Sequence, residues 1–407
     1  MAVGNVAVPT TIYAIDGIKL SATAAGVRYK DRDDLVVIEI ADSAATAVVT
    51  TRNTFCAAPV RVLREHFAKM SPRYLVTNTG NANAGTGADG KRRATDICSA
   101  LADKAGVDTN AVLPFSTGVI GEPLNSEAVI AGLDAALAGL AADSWLAAAN
   151  GIRTTDTIPK LASQKINIGD ISYHVTGISK GSGMIRPNMA TMLGYVATDA
   201  NVAPDLLQEM LIAINEQSFN RITVDGDTST NDCCVLIATG KASSQVIDSP
   251  EHPHYSLLFN ALTEVFVRLA QLIVRDGEGA TKFITVKVTS GKTTQECCDV
   301  AYAVAHSPLV KTAFFASDAN WGRILAAVGY AGIEDLDTEQ VDVSLDEVMI
   351  CQNGGVAMGY TEAAGNKVMS RPEITIHIDL ARGEASDTVY TCDLSYDYVK
   401  INADYRS

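Results

Sequence analysis

Met184-Ile-Arg-Pro-Asn-Met-Ala-Thr-Met-Leu193 is the stretch whose reading decides the architecture of this chain. Gly181-Ser-Gly183 precedes it, and the small-to-apolar run Met192-Leu-Gly-Tyr-Val-Ala197 follows. Thr191 therefore stands in surroundings poor in other reactive side chains. Such a threonine has two readings. It is an ordinary strand residue, or it is the new N-terminus of a self-cleaved enzyme, with a hydroxyl and a freed α-amino group on one residue.

Around this segment the pattern mixes strands and helices. Residues 18–26, 35–40 and 45–51 carry β-branched residues between turn clusters and read as strands, as does 74–77. Pro59 opens a helical pattern with Val60, Leu63 and Phe67 on one face. Ser126 and Ser144 are placed to cap two further helices. Residues 165–178 return to a strand that runs into a loop at Lys180. Residues 204–219 and 255–275 read as amphipathic helices, the second closing near Gly277, a residue suited to a left-handed cap. Residues 283–288, 373–378 and 394–401 read as strands. Because strands and helices do not alternate regularly, the expected class is α+β with layered sheets, not a doubly wound parallel sheet.

Composition narrows the function. A chain of 407 residues has room for about two to three domains and a large core. With 47% hydrophobic and 19% charged residues it reads as packed and not disordered. A net charge of −15 disfavours nucleic acid or an anionic membrane as the main partner, yet leaves room for a locally basic site. The first residues lack a basic stretch before an apolar one, so no secretory signal is expected, and no transmembrane run is evident. Cysteines 56, 98, 233, 234, 297, 298, 351 and 392 form no Cys-x-x-Cys pair and read as reduced, buried thiols of a cytoplasmic protein. The six histidines show no zinc spacing.

Three motifs invite chemistry and fail. Gly85-Thr-Gly-Ala-Asp-Gly90 fits a dinucleotide fingerprint but lies too far beyond its strand. The P-loop reading of Gly85 to Lys91 fails because Arg92 stands where Ser or Thr binds magnesium. Asp225-Gly-Asp-Thr-Ser-Thr-Asn-Asp232 begins like a calcium loop but lacks its central glycine and closing glutamate, so it reads as a polar turn. Ser116-Thr-Gly-Val119 reads as a loop able to aim a hydroxyl and a backbone amide at an oxyanion.

Taken together, Gly181-Ser-Gly-Met-Ile-Arg-Pro-Asn-Met-Ala-Thr-Met192 closely resembles the cleavage segment of the ornithine acetyltransferase family, the glutamate N-acetyltransferases of arginine biosynthesis. The resemblance runs through Arg52-Asn-Thr-Phe-Cys-Ala-Ala-Pro59, Asn78-Thr-Gly-Asn-Ala-Asn83, Ser116-Thr-Gly-Val-Ile-Gly121, Thr154-Thr-Asp-Thr157, Asp225-Gly-Asp-Thr-Ser-Thr-Asn-Asp232, Asp276-Gly-Glu-Gly-Ala-Thr-Lys282 and Ser317-Asp-Ala-Asn-Trp-Gly-Arg323. It ends at Tyr398-Val-Lys-Ile-Asn-Ala-Asp-Tyr-Arg-Ser407, with serine where threonine is usual.

The resemblance implies an αββα sandwich of N-terminal-nucleophile type with a smaller α/β lobe. It implies scission between Ala190 and Thr191, giving an α chain of 1–190 and a β chain of 191–407 that interleave and assemble as α2β2 or higher. Thr191 would be the nucleophile and Thr117 with Gly118 the oxyanion hole. Thr154, Lys180, Thr191, Glu278, Asn402 and Ser407 would bind substrate. Acetyl would move from N-acetylornithine to glutamate through an acetyl-Thr191, with no metal or organic cofactor and with acetyl-CoA as a further co-substrate. Two rivals stand beside this reading: an N-terminal-nucleophile aminopeptidase or amidase, and a non-catalytic amino acid binding protein in which Thr191 is merely buried.

Overall fold

A computed structural model describes residues 2–186 and 192–404. The chain divides into two compact units. The larger, Ala7–Asn220 with Asp227–Ile273, is built on two sheets. Strand Leu35–Ile40 shows why they stack. Its alternate residues Val36, Ile38 and Ile40 enter one buried cluster, while Leu35 and Val37 enter another, so both faces of the strand are covered.

The first sheet has four strands in the order Ile18–Thr23, Leu35–Ile40, Tyr74–Asn81, Val112–Val119, the last pair parallel. The second has five, in the order Ala45–Thr50, Cys233–Ala238, Leu193–Thr198, Ile171–Lys180, Lys160–Ile168. Residues of both sheets share one core that includes Ile38, Leu113, Phe115, Ile178, Tyr195 and Val235. Within it the Tyr195 ring meets Phe115 edge-on at 5.2 Å, and its hydroxyl joins that of Thr77 at 2.8 Å.

Helices cover both outer faces. Ala58–Phe67, Gly87–Ala105 and Ser126–Ala138 lie on the first sheet through Val62, Ile97, Leu101, Val129 and Leu133. On the second sheet, Gln208 of helix Pro204–Gln217 bonds both backbone groups of Val48. Gly177 lets helix Tyr255–Arg275 approach closely: Leu269 stands 3.1 Å from where a Cβ would be. The layers are thus helix, sheet, sheet, helix, the α+β arrangement expected. Helix Tyr255–Arg275 is long and apolar enough to span a membrane by composition, but Leu258, Leu262, Phe266, Leu269 and Ile273 are buried in the protein.

The smaller unit comprises Met1–Val6, Arg221–Gly226 and Val274–Ser407. Its six-stranded sheet runs Gly355–Val356, Val348–Gln352, Asp342–Leu345, Glu373–Asp379, Phe283–Gly291, Ala385–Cys392. Helix Thr294–His306 packs on it through Cys297, Val300, Ala301 and Val304.

Several expectations are corrected. Residues 394–401 are not a strand: Tyr396–Ala403 is a helix, capped by the Ser395 side chain on the Tyr398 amide. Helix Gly87–Ala105 follows directly on the glycine-rich loop and was not foreseen. Asn125, not Ser126, caps its helix, and the Ser144 side chain makes no cap bond. Near the end of helix Tyr255–Arg275 the left-handed residue is Gly279, at φ 70°, and not Gly277. Ser116–Val119 is the end of a strand and not a loop, and Lys180 is the last residue of a strand.

Candidate active site

The second sheet gathers the site at one end. Strand Ile171–Lys180 finishes there, and strands Leu193–Thr198 and Cys233–Ala238 begin there. From the facing sheet, Val112–Val119 brings Thr117 to the same place. Thr117, Lys180, Gly181, Met192, Asn231 and Asp232 line one recess.

Lys180 donates from Nζ to the Thr117 hydroxyl at 3.2 Å, so two residues 63 apart in sequence meet. Gly118 sits at φ 135°, and a Cβ there would stand 2.2 Å from the Gly80 carbonyl carbon, so only glycine fits. Asn231 ties the two sheets together, donating from Nδ2 to the carbonyls of Ala82 at 2.6 Å and Ser116 at 2.8 Å.

Behind Lys180 lies a buried ion pair that the sequence reading missed. Lys160, fully buried, donates to Asp156 Oδ1 at 2.5 Å, and the same oxygen accepts the Gly181 amide at 2.7 Å. Asp156 Oδ2 accepts the Thr154 amide at 2.9 Å, while the Thr155 hydroxyl meets that of Ser182 at 2.6 Å. Burial alone would push the Asp156 carboxyl up, but the charges of Lys160 and Lys180 and these hydrogen bonds hold it well below the usual carboxylate range. Asp156 thereby fixes both Thr154 and the start of the Gly181 turn. The signal available was the acid four residues before Lys160.

Asp232, also missed, carries the opposite shift. Burial drives its carboxyl far above the ordinary range, with Ser229 and the Lys180 charge opposing. Its Oδ2 is buried and has no hydrogen-bond partner among the described residues.

Ala190, Thr191 and Ser407 lie outside the described residues. What flanks the first two is informative. Met184 adopts φ 55°, a left-handed conformation costly for a non-glycine residue, in the turn that leads toward them. Met192, buried, accepts the Cys233 amide on its carbonyl at 2.8 Å. In the smaller unit Glu278 is buried and accepts a hydrogen bond from Asn402 Nδ2 at 2.8 Å. The structure thus brings Thr117, Gly118, Thr154 and Lys180 together in one unit, and Glu278 with Asn402 in the other. No cluster of His, Cys, Asp or Glu among the described residues is arranged to hold a metal.

Comparison with known proteins adds a family. A family model described as "ArgJ family" matches residues 19–407. The chain is 88% identical to the "Arginine biosynthesis bifunctional protein ArgJ" of Psychrobacter arcticus and 55% identical to that of Pseudomonas fluorescens, each over the full length of both chains. A crystal structure of "Arginine biosynthesis bifunctional protein argJ" from Bacillus halodurans is 42% identical with a TM-score of 0.50, and 99% of that chain matches 52% of this one.

Proposed function

The chain belongs to the ArgJ family, and from that premise we propose how its own residues carry the chemistry. It is an acetyltransferase of arginine biosynthesis that moves the acetyl group of N2-acetyl-L-ornithine to L-glutamate, giving ornithine and N-acetylglutamate. The relatives' description as bifunctional supports acetyl-CoA as a second acetyl donor for glutamate. Neither the hydrolase reading nor the non-catalytic one gains support from any observation.

Thr191 acts twice. First its Oγ attacks the carbonyl carbon of Ala190, the amide nitrogen leaves as an amine, and water opens the resulting ester. The products are an Ala190 carboxylate, a regenerated Thr191 hydroxyl and a free α-amino group. In turnover that amine takes the hydroxyl proton as Oγ attacks the acetyl carbonyl of N-acetylornithine. Ornithine leaves with the proton, glutamate enters, and its amine collects the acetyl group. Donor and product are both amides of α-amines, so the exchange is near thermoneutral and proceeds by a ping-pong course.

The Thr117 hydroxyl and the Gly118 amide receive the oxyanion at each step. Lys180 holds the Thr117 hydroxyl and supplies a cation for the substrate carboxylate, with Thr154 beside it. Glu278 pairs with the ammonium end of ornithine, oriented by Asn402; Ser407 adds a hydroxyl. The observation that carries this reading is the recess in which Lys180 and Thr117, bonded at 3.2 Å, stand beside Met192, the residue that follows Thr191.

Scission leaves chains 1–190 and 191–407 interleaved, not as separate folding domains. Three strands of the five-stranded sheet precede the cut and two follow it. The match of nearly all of the Bacillus halodurans chain to half of this one supports such a division, since residues 191–407 make up just over half of the sequence. We assign the assembled form as α2β2 or higher. A cytoplasmic setting suits the eight unbridged cysteines.

Intact mass and N-terminal sequencing test this. Wild type should show two chains, the second starting at Thr191, and Thr191→Ala one inactive chain. A single full-length wild-type polypeptide that still transfers acetyl groups would refute it.

A further inference from the structure

Asp232 has no place in the mechanism so far, and its setting asks for one. It immediately precedes strand Cys233–Ala238, is 3% exposed, and keeps Oδ2 buried without a partner among the described residues. Buried carboxyl oxygens are rarely left unpaired without a reason. The ionisable groups facing it are Lys180, from strand Ile171–Lys180, and Cys233 beside it on its own strand; Asp156 and Lys160 stand behind Lys180. Lys180 is turned to the Thr117 hydroxyl.

Strand register says what could meet the free oxygen. Leu193–Thr198 and Cys233–Ala238 run parallel with Leu193 opposite Cys233, and the Cys233 amide bonds the Met192 carbonyl at 2.8 Å. Met192 and Asp232 are therefore side by side at the heads of neighbouring strands, and both line the recess. Adjacent strands lie about 4.8 Å apart, and successive Cα atoms about 3.8 Å. Met192, the residue next to the proposed scission point, thus lies about one strand spacing from Asp232.

Resting on the self-cleavage reading above, we propose that Asp232 is the positioning residue for the α-amino group that scission creates on Thr191, its unpaired oxygen being the seat of the new ammonium. Before the cut the carboxyl is neutral, so its partnerless oxygen leaves no bare charge at that point. Scission releases the amide nitrogen as an amine, and the Asp232 proton moves to it, leaving a carboxylate–ammonium pair. That single proton is shared during turnover. When Asp232 holds it, the amine is a neutral base directed at its own hydroxyl. The amine then takes the hydroxyl proton and passes it to the departing ornithine amine; at rest the shared proton sits on the Thr191 amine and the Asp232 carboxylate stabilises that cation. The raised affinity of the buried carboxyl for a proton suits this exchange.

The test uses the full chain as Asp232→Asn, with Asp232→Glu as the conservative control. Chain scission is read by intact mass, the acid limb of kcat/KM for N-acetylornithine by pH profile, and the Thr191 amine by the pH dependence of its reductive methylation. Asp232→Asn should still cleave, and without its counter-charge the amine should titrate at least about one unit lower, a tenfold shift in proton concentration. The acid limb should move down with it, while Asp232→Glu keeps the wild-type limb. A slowed variant whose limb does not move marks a purely structural role and overturns the proposal. A folded Asp232→Asn that remains one chain also overturns it, because the pairing requires the cut. Should Asp232→Asn fail to fold, the wild-type amine decides: titration at or below the ordinary ~7.7–8.0 of an α-amine removes the pairing. An uncut, active wild type would instead refute the parent mechanism, and shows itself before any variant is made.

Discussion

Replacing Asp156 by asparagine tests the scaffold beneath the site. The substitution keeps the shape and one acceptor for the Gly181 amide, but it removes the carboxylate from Lys160, which is fully buried. Both partners are out of solvent, so the interaction is not screened as a surface pair would be. Withdrawing one member of a buried pair costs about 3–5 kcal/mol, roughly 10²- to 10⁴-fold in the folding equilibrium. At about 2–4 °C per kcal/mol for a body of this size, the calorimetric transition of the larger unit should fall by about 6–20 °C. Trp145, buried in that unit, reports the same event by fluorescence.

The double variant Asp156→Asn/Lys160→Met should recover most of the loss, because a neutral, well-packed replacement of a buried pair is often nearly neutral overall. The acid dependence has a fixed sign. The Asp156 carboxyl is depressed in the folded state, so its contribution is complete above the unfolded value of ~3.9 and is lost as pH falls through the lower folded value. Wild type and Asp156→Asn should converge only in that acid range. A single variant within about 1 kcal/mol of wild type, or a double variant no more stable than the single, would refute the reasoning.

Two further expectations concern the chemistry. Thr117→Ala should lower turnover by ~10²–10³ and slow scission as well, if one oxyanion hole serves both; single-turnover acetyl transfer and a scission time course measure this, and normal rates of each remove Thr117 from the site. Glu278→Gln deletes the charge proposed to meet the ornithine ammonium, and a charged hydrogen bond of ~1.5–3 kcal/mol corresponds to a rise of about 10- to 100-fold in KM for N-acetylornithine. Glutamate, which lacks that ammonium, should be less affected, and equal changes for both substrates would count against the pairing.

The sequence carried the layered class because it is written in local signals, whereas the site residues were named by family resemblance. Alternation in Leu35–Ile40 and three-to-four spacing in Tyr255–Arg275 each describe a face that must be buried. Tyr396–Ala403 misled for the same reason: Tyr396, Tyr398 and Ile401 are strand-favouring residues, and the helix start depends on Ser395, whose hydroxyl also donates to the Gly279 carbonyl 116 residues away. Helix Gly87–Ala105 was masked by the glycines that begin it. Asp156, Lys160 and Asp232 were invisible as a group, since their meaning lies in burial and pairing that only the folded sheets create. Thr117 and Lys180 could be named from family resemblance, yet their contact across the two sheets could not.

Strand Leu193–Thr198 has neighbours hydrogen-bonded along both edges, Ile171–Lys180 on one side and Cys233–Ala238 on the other. On the proposed scission, Met192, second in the new chain, is already held by the Cys233 amide, so no turnover has to organise a loose end. The same arrangement makes maturation a report on assembly. On that proposal Thr117, Asp156 and Lys180, from three separate parts of the sequence, must be in register before the bond opens, so a misassembled copy stays whole and silent.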